Sequence, residues 1–189
     1  MEIHSNALKA AKKIKMVILD VDGVLTDGGI YIGETGELYK PFNCRDGLGI
    51  TLAHKQGIKT AIITGRCSKQ VAFRAQELNI SEVFQGNTDK REAYNELKQH
   101  TGLRDEEIAY IGDDLIDLPI MLQVGLPMAV ADAVPAVRMH SLVISDYPGG
   151  KGAVRDLLEF IFKAKGNWEN ILASFLVPVQ QEENAGLGQ

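Results

Sequence analysis

The chain has 189 residues, of which 45% are hydrophobic, and a net charge of −5. This length and balance are typical of one globular domain with a substantial core. The sequence contains neither a run of about 18 apolar residues that would span a membrane nor the basic clusters that bind nucleic acid. It also shows no secretory signal, and its two cysteines and four histidines lack metal-ligand spacing. We therefore expect a cytoplasmic protein that binds neither membranes nor nucleic acids.

Short apolar runs, typical of buried strands, alternate along the chain with segments of helical periodicity. After a first amphipathic helix at 1–13, the expected strands are 16–20, 59–64, 82–84, 107–113, 127–131 and 142–144. The expected helices between and after them are 48–56, 68–78, 90–100, 115–124 and 153–163. This alternation predicts an α/β fold: a doubly wound, Rossmann-like parallel sheet covered by helices on both faces.

One segment interrupts the alternation. Residues 28–43 contain two short β-type runs around a turn at 34–37, which predicts an inserted β-hairpin. We expect residues 1–177 to form a single domain, hairpin included. The polar, glycine-containing residues 178–189 are expected to be a flexible C-terminal tail.

Polar residues end three of the expected strands. These are Asp20, Thr64 and Asp113, far apart in the sequence. Because ligands of doubly wound sheets bind at the carboxyl ends of the strands, the three side chains are expected to converge on one site.

The residues around these strand ends suit a metal ion and a phosphate group. Asp22 follows Asp20 by two positions, and a bend at Gly23 would let both carboxylates face one ligand. Clustered carboxylates repel one another unless a hard cation or a shared proton compensates, and Mg²⁺ prefers such oxygen ligands. Arg66, close after Thr64, adds a guanidinium group suited to phosphate.

In this order the motifs resemble those of the haloacid dehalogenase superfamily: Asp-x-Asp-Gly-x-x-Thr from Asp20, a strand-ending Thr64, Lys90, and Gly-Asp-Asp-x-x-Asp from Gly112. The resemblance implies a magnesium-dependent phosphatase that works through an aspartyl-phosphate intermediate. It makes Asp20 the nucleophile and Asp22 the general acid and base. The implied Mg²⁺ ligands are Asp20, the backbone carbonyl of Asp22, and Asp113; Thr64 and Lys90 would hold the phosphoryl oxygens, with Asp114 and Asp117 supporting them.

Neither gap between the motifs has room for a full cap domain. Six stretches of the sequence extend the resemblance: 19–28, 42–47, 61–66, 85–86, 110–117 and 149–155. Through them the sequence resembles, within the capless group, the family of 3-deoxy-D-manno-octulosonate 8-phosphate phosphatases, which supply a lipopolysaccharide precursor. That resemblance implies a homotetramer with the hairpins at its centre and a phosphorylated sugar acid as substrate. It also implies a set of residues lining the substrate site: Asp22, Asn43, Cys44, Arg45, Asp46, Gly47, Arg66, Arg74 and Lys90.

Two alternatives stay open at this point. A phosphatase for nine-carbon, sialic-acid-like 9-phosphates would carry much the same motifs. A phospho-signalling receiver domain also combines clustered aspartates, a threonine and a lysine on a doubly wound fold. The second aspartate of the pair, Asp22, argues against a receiver because it would promote rapid hydrolysis of the phosphorylated state.

Overall fold

The structure, a computed structural model, describes residues 1–34 and 36–176. The tail predicted at 178–189 therefore lies outside the described residues. The strands are β1 (Glu2–Ile3), β2 (Met16–Leu19), β3 (Tyr31–Gly33), β4 (Gly36–Tyr39), β5 (Lys59–Ile63), β6 (Glu82–Phe84), β7 (Ile108–Gly112), β8 (Leu126–Ala129) and β9 (Val143–Ile144). The α-helices are α1 (Ala7–Ala11), α2 (Cys44–Lys55), α3 (Lys69–Glu77), α4 (Lys90–Thr101), α5 (Leu118–Met121), α6 (Pro135–Met139), α7 (Ala153–Lys165) and α8 (Trp168–Leu176).

Seven strands form the central sheet in the order β1-β9-β8-β7-β2-β5-β6. All neighbours pair in parallel except β1, which is antiparallel to β9 at the edge. The predicted doubly wound α/β fold is thus confirmed. The single helix predicted over 1–13 is wrong in part, because Glu2–Ile3 pairs with β9 before helix α1 begins. A two-residue strand is too short to show a periodicity in the sequence.

The direction of winding changes beside β2. From β2 the chain proceeds to β5 and β6 on one side, then crosses to β7 and continues to β8 and β9 on the other. With the right-handed crossovers general to parallel sheets, this reversal puts helices on both faces of the sheet. Helix α2 packs against α7, and α4 packs against α5. All four residues of β2 are buried. The point where the winding reverses lies between β2 and β7, where such folds bind their ligands.

Strands β3 and β4 form a separate two-stranded sheet, as predicted for the hairpin. The rings of Tyr31 and Tyr39 stack across the two strands with centroids 4.4 Å apart. Such a ribbon is marginally stable by itself, so its contacts with the rest of the chain matter.

Several helix boundaries differ from the prediction. Helix α2 begins at Cys44 instead of residue 48, because the side chain of Asn43 accepts a hydrogen bond from the backbone N–H of Arg45 and caps the helix. The segment predicted as one helix over 115–124 divides into a 3₁₀ turn, Leu115–Asp117, followed by α5. Among the described residues, no helix has the length and apolar character needed to cross a lipid bilayer.

Candidate active site

The predicted convergence of strand-ending residues is observed at the reversal of winding. Strand β2 pairs with β5 and β7 so that Leu19 lies opposite Ile62 and Ile111. The residues that follow these strands therefore meet at one edge of the sheet. Asp20 and Thr64 are buried there and Asp113 is partly buried.

Lys90, the first residue of α4, extends into this edge and is fully buried. Its Nζ lies 2.7 Å from Oδ1 of Asp20, 2.7 Å from Oδ1 of Asp117 and 3.1 Å from the hydroxyl oxygen of Tyr110. The Tyr110 hydroxyl in turn donates to Oδ1 of Asp117 at 2.7 Å. Since an ammonium group has three N–H donors, these three acceptors use all of them.

Asp117 has its two carboxylate oxygens committed to the protein. Oδ1 accepts from Lys90 and Tyr110, and Oδ2 accepts from the backbone N–H groups of Asp113 and Asp114 at 2.9 and 3.2 Å. Asp117 therefore orients Lys90 and the loop after β7. The adjacent Asp114 is exposed and accepts from the N–H of Leu115 at 2.7 Å.

Burial and neighbouring charges shift the pKa values of Asp20, Asp113 and Lys90. Burial raises the pKa of Asp20 to about 6, although the Lys90 ammonium acts in the opposite direction. Burial, together with the charges of Asp20 and Asp117, raises the pKa of Asp113 to about 8. For Lys90, burial alone would lower the pKa, but the two carboxylates outweigh it and the pKa is raised. Three carboxylates against one ammonium leave an excess of negative charge at this edge.

A hard cation fits this arrangement. Carboxylate oxygens of Asp20, Asp113 and Asp117 lie within 4.8 Å of one another. Oδ1 of Asp113 is buried and has no hydrogen-bond partner among the described residues. Because Asp117 is already committed, Asp20 and Asp113 are the carboxylates with capacity for a metal ion, and Mg²⁺ prefers such oxygen donors.

Gly23 brings the chain close to this candidate metal site. Its φ of +92° lies in the left-handed region that favours glycine. A Cβ atom there would come within 2.1 Å of Oδ2 of Asp113. Glycine at this position therefore lets the loop after β2 close around the Asp113 carboxylate.

Asp22 lies beside the candidate metal site in a second charged cluster. Lys40, whose side chain is 2% exposed, donates a hydrogen bond to Oδ1 of Asp22 and lies 3.1 Å from Glu37. Arg66 approaches Oδ2 of Asp22 at 3.7 Å and Glu37 at 3.9 Å. Burial alone would raise the pKa of Glu37, but hydrogen bonds from Ser68 and Lys40 outweigh it and the pKa is lowered.

A groove of about 600 Å³ adjoins this cluster. It contains Cys44 and Arg74, two of the residues predicted to line a substrate site. Arg74 is 2.6 Å from Glu77 and stands over the ring of Phe42 at 5.9 Å. The full lining is Tyr39, Lys40, Phe42, Cys44, Lys69, Gln70, Phe73, Arg74 and Glu77.

Other predicted site residues have structural partners. Asn43 caps α2 and donates from Nδ2 to the carbonyl of Gly150 at 3.1 Å. Asp46 is buried and accepts from the backbone N–H groups of Gly152 and Arg155 at the start of α7.

Gly47 and Arg45, which were also predicted for the substrate site, lie beside other elements of the fold. Gly47 packs so closely against Arg74 that a Cβ would come within 2.3 Å of its guanidinium. Arg45 lines a separate cavity of about 230 Å³ with Tyr147 and Arg155. Gly47 thus lies against α3, and Arg45 lies beside α7 and the loop before it.

Tyr110 and Lys40 belong to the site but were not predicted from the sequence. Tyr110 lies inside an aliphatic strand, and a buried tyrosine requires a partner for its hydroxyl, which was an available signal. Lys40 offered no such signal, because a lysine at the end of a hairpin strand is usually solvated.

Comparisons with known proteins identify the family. A sequence model of the haloacid dehalogenase-like hydrolases matches residues 59–156. The 3-deoxy-D-manno-octulosonate 8-phosphate phosphatase of Escherichia coli (strain K12) is 43% identical over 164 residues, which cover 87% of each chain. A crystal structure of the Yersinia pestis phosphatase of the same name has 45% identity and a TM-score of 0.85, covering 87% of this chain and 89% of that one.

A further crystal structure shows such a phosphatase with ligands. The enzyme from Moraxella catarrhalis, in complex with a magnesium ion, a phosphate ion and a KDO molecule, has 41% identity and a TM-score of 0.88. The match covers 91% of this chain and 99% of that one. The chain belongs to the haloacid dehalogenase-like hydrolases and, within them, to the family of the 3-deoxy-D-manno-octulosonate 8-phosphate phosphatases.

Proposed function

We propose that this protein is a magnesium-dependent phosphatase that hydrolyses 3-deoxy-D-manno-octulosonate 8-phosphate to the free sugar acid and phosphate. The product would serve lipopolysaccharide precursor synthesis, in the cytoplasm as expected from the sequence. The observation that carries the proposal is the buried contact of Asp20 with Lys90 beside Asp113, in a chain 43% identical to phosphatases of this name. It supplies a nucleophile, a cation for phosphoryl oxygens and a place for a metal ion within one cluster.

Asp20 is the proposed nucleophile. One of its carboxylate oxygens attacks the phosphorus in line, so that a bond forms to Asp20 while the bond to the sugar oxygen breaks. As its oxygen becomes part of an acyl phosphate, Asp20 loses its negative charge and, with it, its electrostatic attraction for the Lys90 ammonium group. An N–H group of Lys90 is then available to a phosphoryl oxygen, while Asp117 and Tyr110 keep the ammonium in place.

Asp22 is the proposed acid and base. In the first step it gives a proton to the leaving sugar alkoxide, and in the second it takes a proton from the water that hydrolyses the aspartyl phosphate. Thr64, buried directly after β5, would hold a phosphoryl oxygen. Mg²⁺ bound by Asp20, Asp113 and the backbone carbonyl of Asp22 would reduce the repulsion between an anionic nucleophile and an anionic substrate.

Arg66 is the best-placed group for the carboxylate of a sugar acid. Its side chain is 46% exposed, and its ion pairs with Asp22 and Glu37 are long, at 3.7 and 3.9 Å. Arg74 lines the groove but is held by Glu77 at 2.6 Å. A guanidinium group binds a carboxylate in a bidentate manner, so we assign the sugar carboxylate to Arg66.

The substrate is tested by initial rates of the purified protein with Mg²⁺. We expect kcat/KM for 3-deoxy-D-manno-octulosonate 8-phosphate to exceed that for a nine-carbon, sialic-acid-like 9-phosphate by ~10-fold or more, since a site built for one set of hydroxyl groups rejects another. The Arg66→Lys variant tests the assignment of the sugar carboxylate to Arg66, because lysine keeps the positive charge but cannot bind a carboxylate in a bidentate manner. A preference for the nine-carbon ester would replace the proposed substrate with the alternative.

The hairpin supports a second part of the proposal, a homotetramer in which neighbouring chains take the place of a cap. Ile32 is 73% exposed and Leu38 is 63% exposed, with Ile30 and Tyr39 about half exposed. Apolar surface of this extent on a two-stranded ribbon is typical of an interaction surface. Burying it against equivalent hairpins would also limit access of water to the reacting groups.

Light scattering measures this assembly. We expect the full chain to be a tetramer and the double variant Ile32→Ser, Leu38→Ser to shift toward smaller species with lower activity. These two positions are chosen because Tyr31 and Tyr39 stack on each other and support the hairpin itself. The matched control is Leu122→Ser with Met139→Ser, two exposed apolar side chains outside the hairpin. A fully active wild-type monomer would contradict the proposal.

A further inference from the structure

Lys40 carries a buried ammonium group that the mechanism above does not use. Its side chain is 2% exposed, compared with 0% for Lys90. A lysine charge is costly to bury unless carboxylates compensate for the lost hydration. Lys40 has two such partners, Asp22 through Oδ1 and Glu37 through Oε1 at 3.1 Å. The structure thus places a buried lysine, with two partly buried carboxylate partners, in direct contact with the proposed acid and base.

The contact between Lys40 and Asp22 joins two separate parts of the fold. Asp22 lies in the loop after β2, whereas Lys40 immediately follows β4 of the hairpin. Pro41 comes next in the chain and restricts the backbone of Lys40 to extended conformations. The restricted backbone of Lys40 therefore helps to hold its ammonium group against the loop after β2, which carries Asp22.

The hairpin is itself anchored on the side facing α3. Glu37 accepts a hydrogen bond from the hydroxyl of Ser68, the residue that caps α3. Nε2 of Gln70 lies 3.4 Å from the backbone carbonyl oxygens of Glu37 and Leu38. Since Glu37 also contacts Lys40, the chain of contacts runs from α3 through the hairpin to Asp22.

The two carboxylate oxygens of Asp22 have different surroundings. Oδ1 accepts from the buried Lys40, while Oδ2 faces Arg66 at 3.7 Å, whose side chain is 46% exposed. An exposed pair at this distance is weak and screened by salt. Oδ1 is consequently held in place, and Oδ2 is the oxygen left to exchange a proton.

We infer that Lys40 is a positioning residue, which fixes Oδ1 of Asp22 so that Oδ2 is directed to the leaving-group oxygen, and that the hairpin is thereby part of the active site. The inference rests on the phosphatase function proposed above and adds a residue to it. In the first chemical step, Oδ2 gives its proton to the sugar oxygen as that oxygen leaves phosphorus. Lys40 itself exchanges no proton.

The leaving group provides the test. An alkyl or phenyl ester needs a proton from Asp22 as it leaves, whereas p-nitrophenolate is a weak base and leaves without one. The parameter kcat/KM ends with transfer to Asp20 and does not contain the later hydrolysis. We expect Lys40→Met to lower kcat/KM for the sugar-acid phosphate and phenyl phosphate by ~10–100-fold. For p-nitrophenyl phosphate the expected loss is below ~3-fold.

Two further variants keep the test decisive. Lys59→Met, at the opposite end of β5, removes an exposed lysine and should leave all rates unchanged. Glu37→Gln keeps the Lys40 ammonium but weakens its anchor, so we expect a smaller loss with the same dependence on the leaving group; it also covers the case in which Lys40→Met does not fold. Equal losses for every ester, or a change in KM alone, would overturn the role of Lys40. A wild type inactive on all esters would overturn the proposed function as well.

Discussion

The Asp20→Asn variant is expected to lose turnover by about 10⁴-fold or more, because an amide cannot replace the carboxylate oxygen that attacks phosphorus. The fold should survive. An asparagine carbonyl oxygen still accepts a hydrogen bond from Lys90, which also keeps Asp117 and Tyr110 as partners. Burial already disfavours the charge of Asp20, as its raised pKa of about 6 indicates, so a neutral side chain there relieves a cost of desolvation.

Initial rates, circular dichroism and thermal unfolding measure the effect of this change. The matched variant is Asp22→Asn, for which we expect a smaller loss of about 10²–10⁴-fold, the range of a positioned proton donor. Because Asp22→Asn keeps the nucleophile, acid-quenched samples should contain a phosphorylated protein by mass spectrometry, and samples of Asp20→Asn should not. Intact mass also excludes deamidation of the introduced asparagine to aspartate. Substantial activity in a verified Asp20→Asn protein would disprove the assignment of the nucleophile.

The parallel strands and the convergence of Asp20, Thr64 and Asp113 could be predicted because both depend on local patterns. A buried parallel strand is a continuous apolar run, and its carboxyl end is marked by the first polar residue. The order of the strands in the sheet did not follow from such patterns. It depends on which apolar faces pack together, as α2 with α7, across long separations in the sequence.

Contacts between residues that are far apart in the sequence could not be predicted either, as the substrate-site residues inferred from resemblance illustrate. Asp46 is a charged residue in a motif close to the site, yet its carboxylate binds the first N–H groups of α7. The sequence gives no indication of this contact, because the two partners are more than one hundred residues apart. Lys40 shows the opposite: from the sequence alone, a lysine after a hairpin strand is expected to be solvated. Only the structure shows that the hairpin brings its ammonium group into contact with Asp22.

Removal of divalent cations is expected to abolish activity, and Mg²⁺ should restore it. Asp20 and Asp113 bring two carboxylates together, with Oδ1 of Asp113 buried and lacking a hydrogen-bond partner among the described residues. A hard cation removes this repulsion and supplies the missing partner. Ca²⁺ should bind but support turnover poorly, because its longer and more variable coordination does not fix the reacting groups in line.

Thermal unfolding gives a second readout that does not depend on turnover. A cation at about 100 times its Kd stabilises the native state by about 2.7 kcal/mol, which corresponds to a rise in Tm of roughly 5–10 °C for a chain of this length. The Asp113→Asn variant should lose most of this rise, because it removes one of the two available carboxylates. The matched control is Asp146→Asn, an exposed aspartate outside the cluster, and its rise in Tm should equal that of the wild type. Full activity after exhaustive chelation, or an equal rise in Tm for the Asp113→Asn protein, would show that this carboxylate cluster does not hold the metal ion.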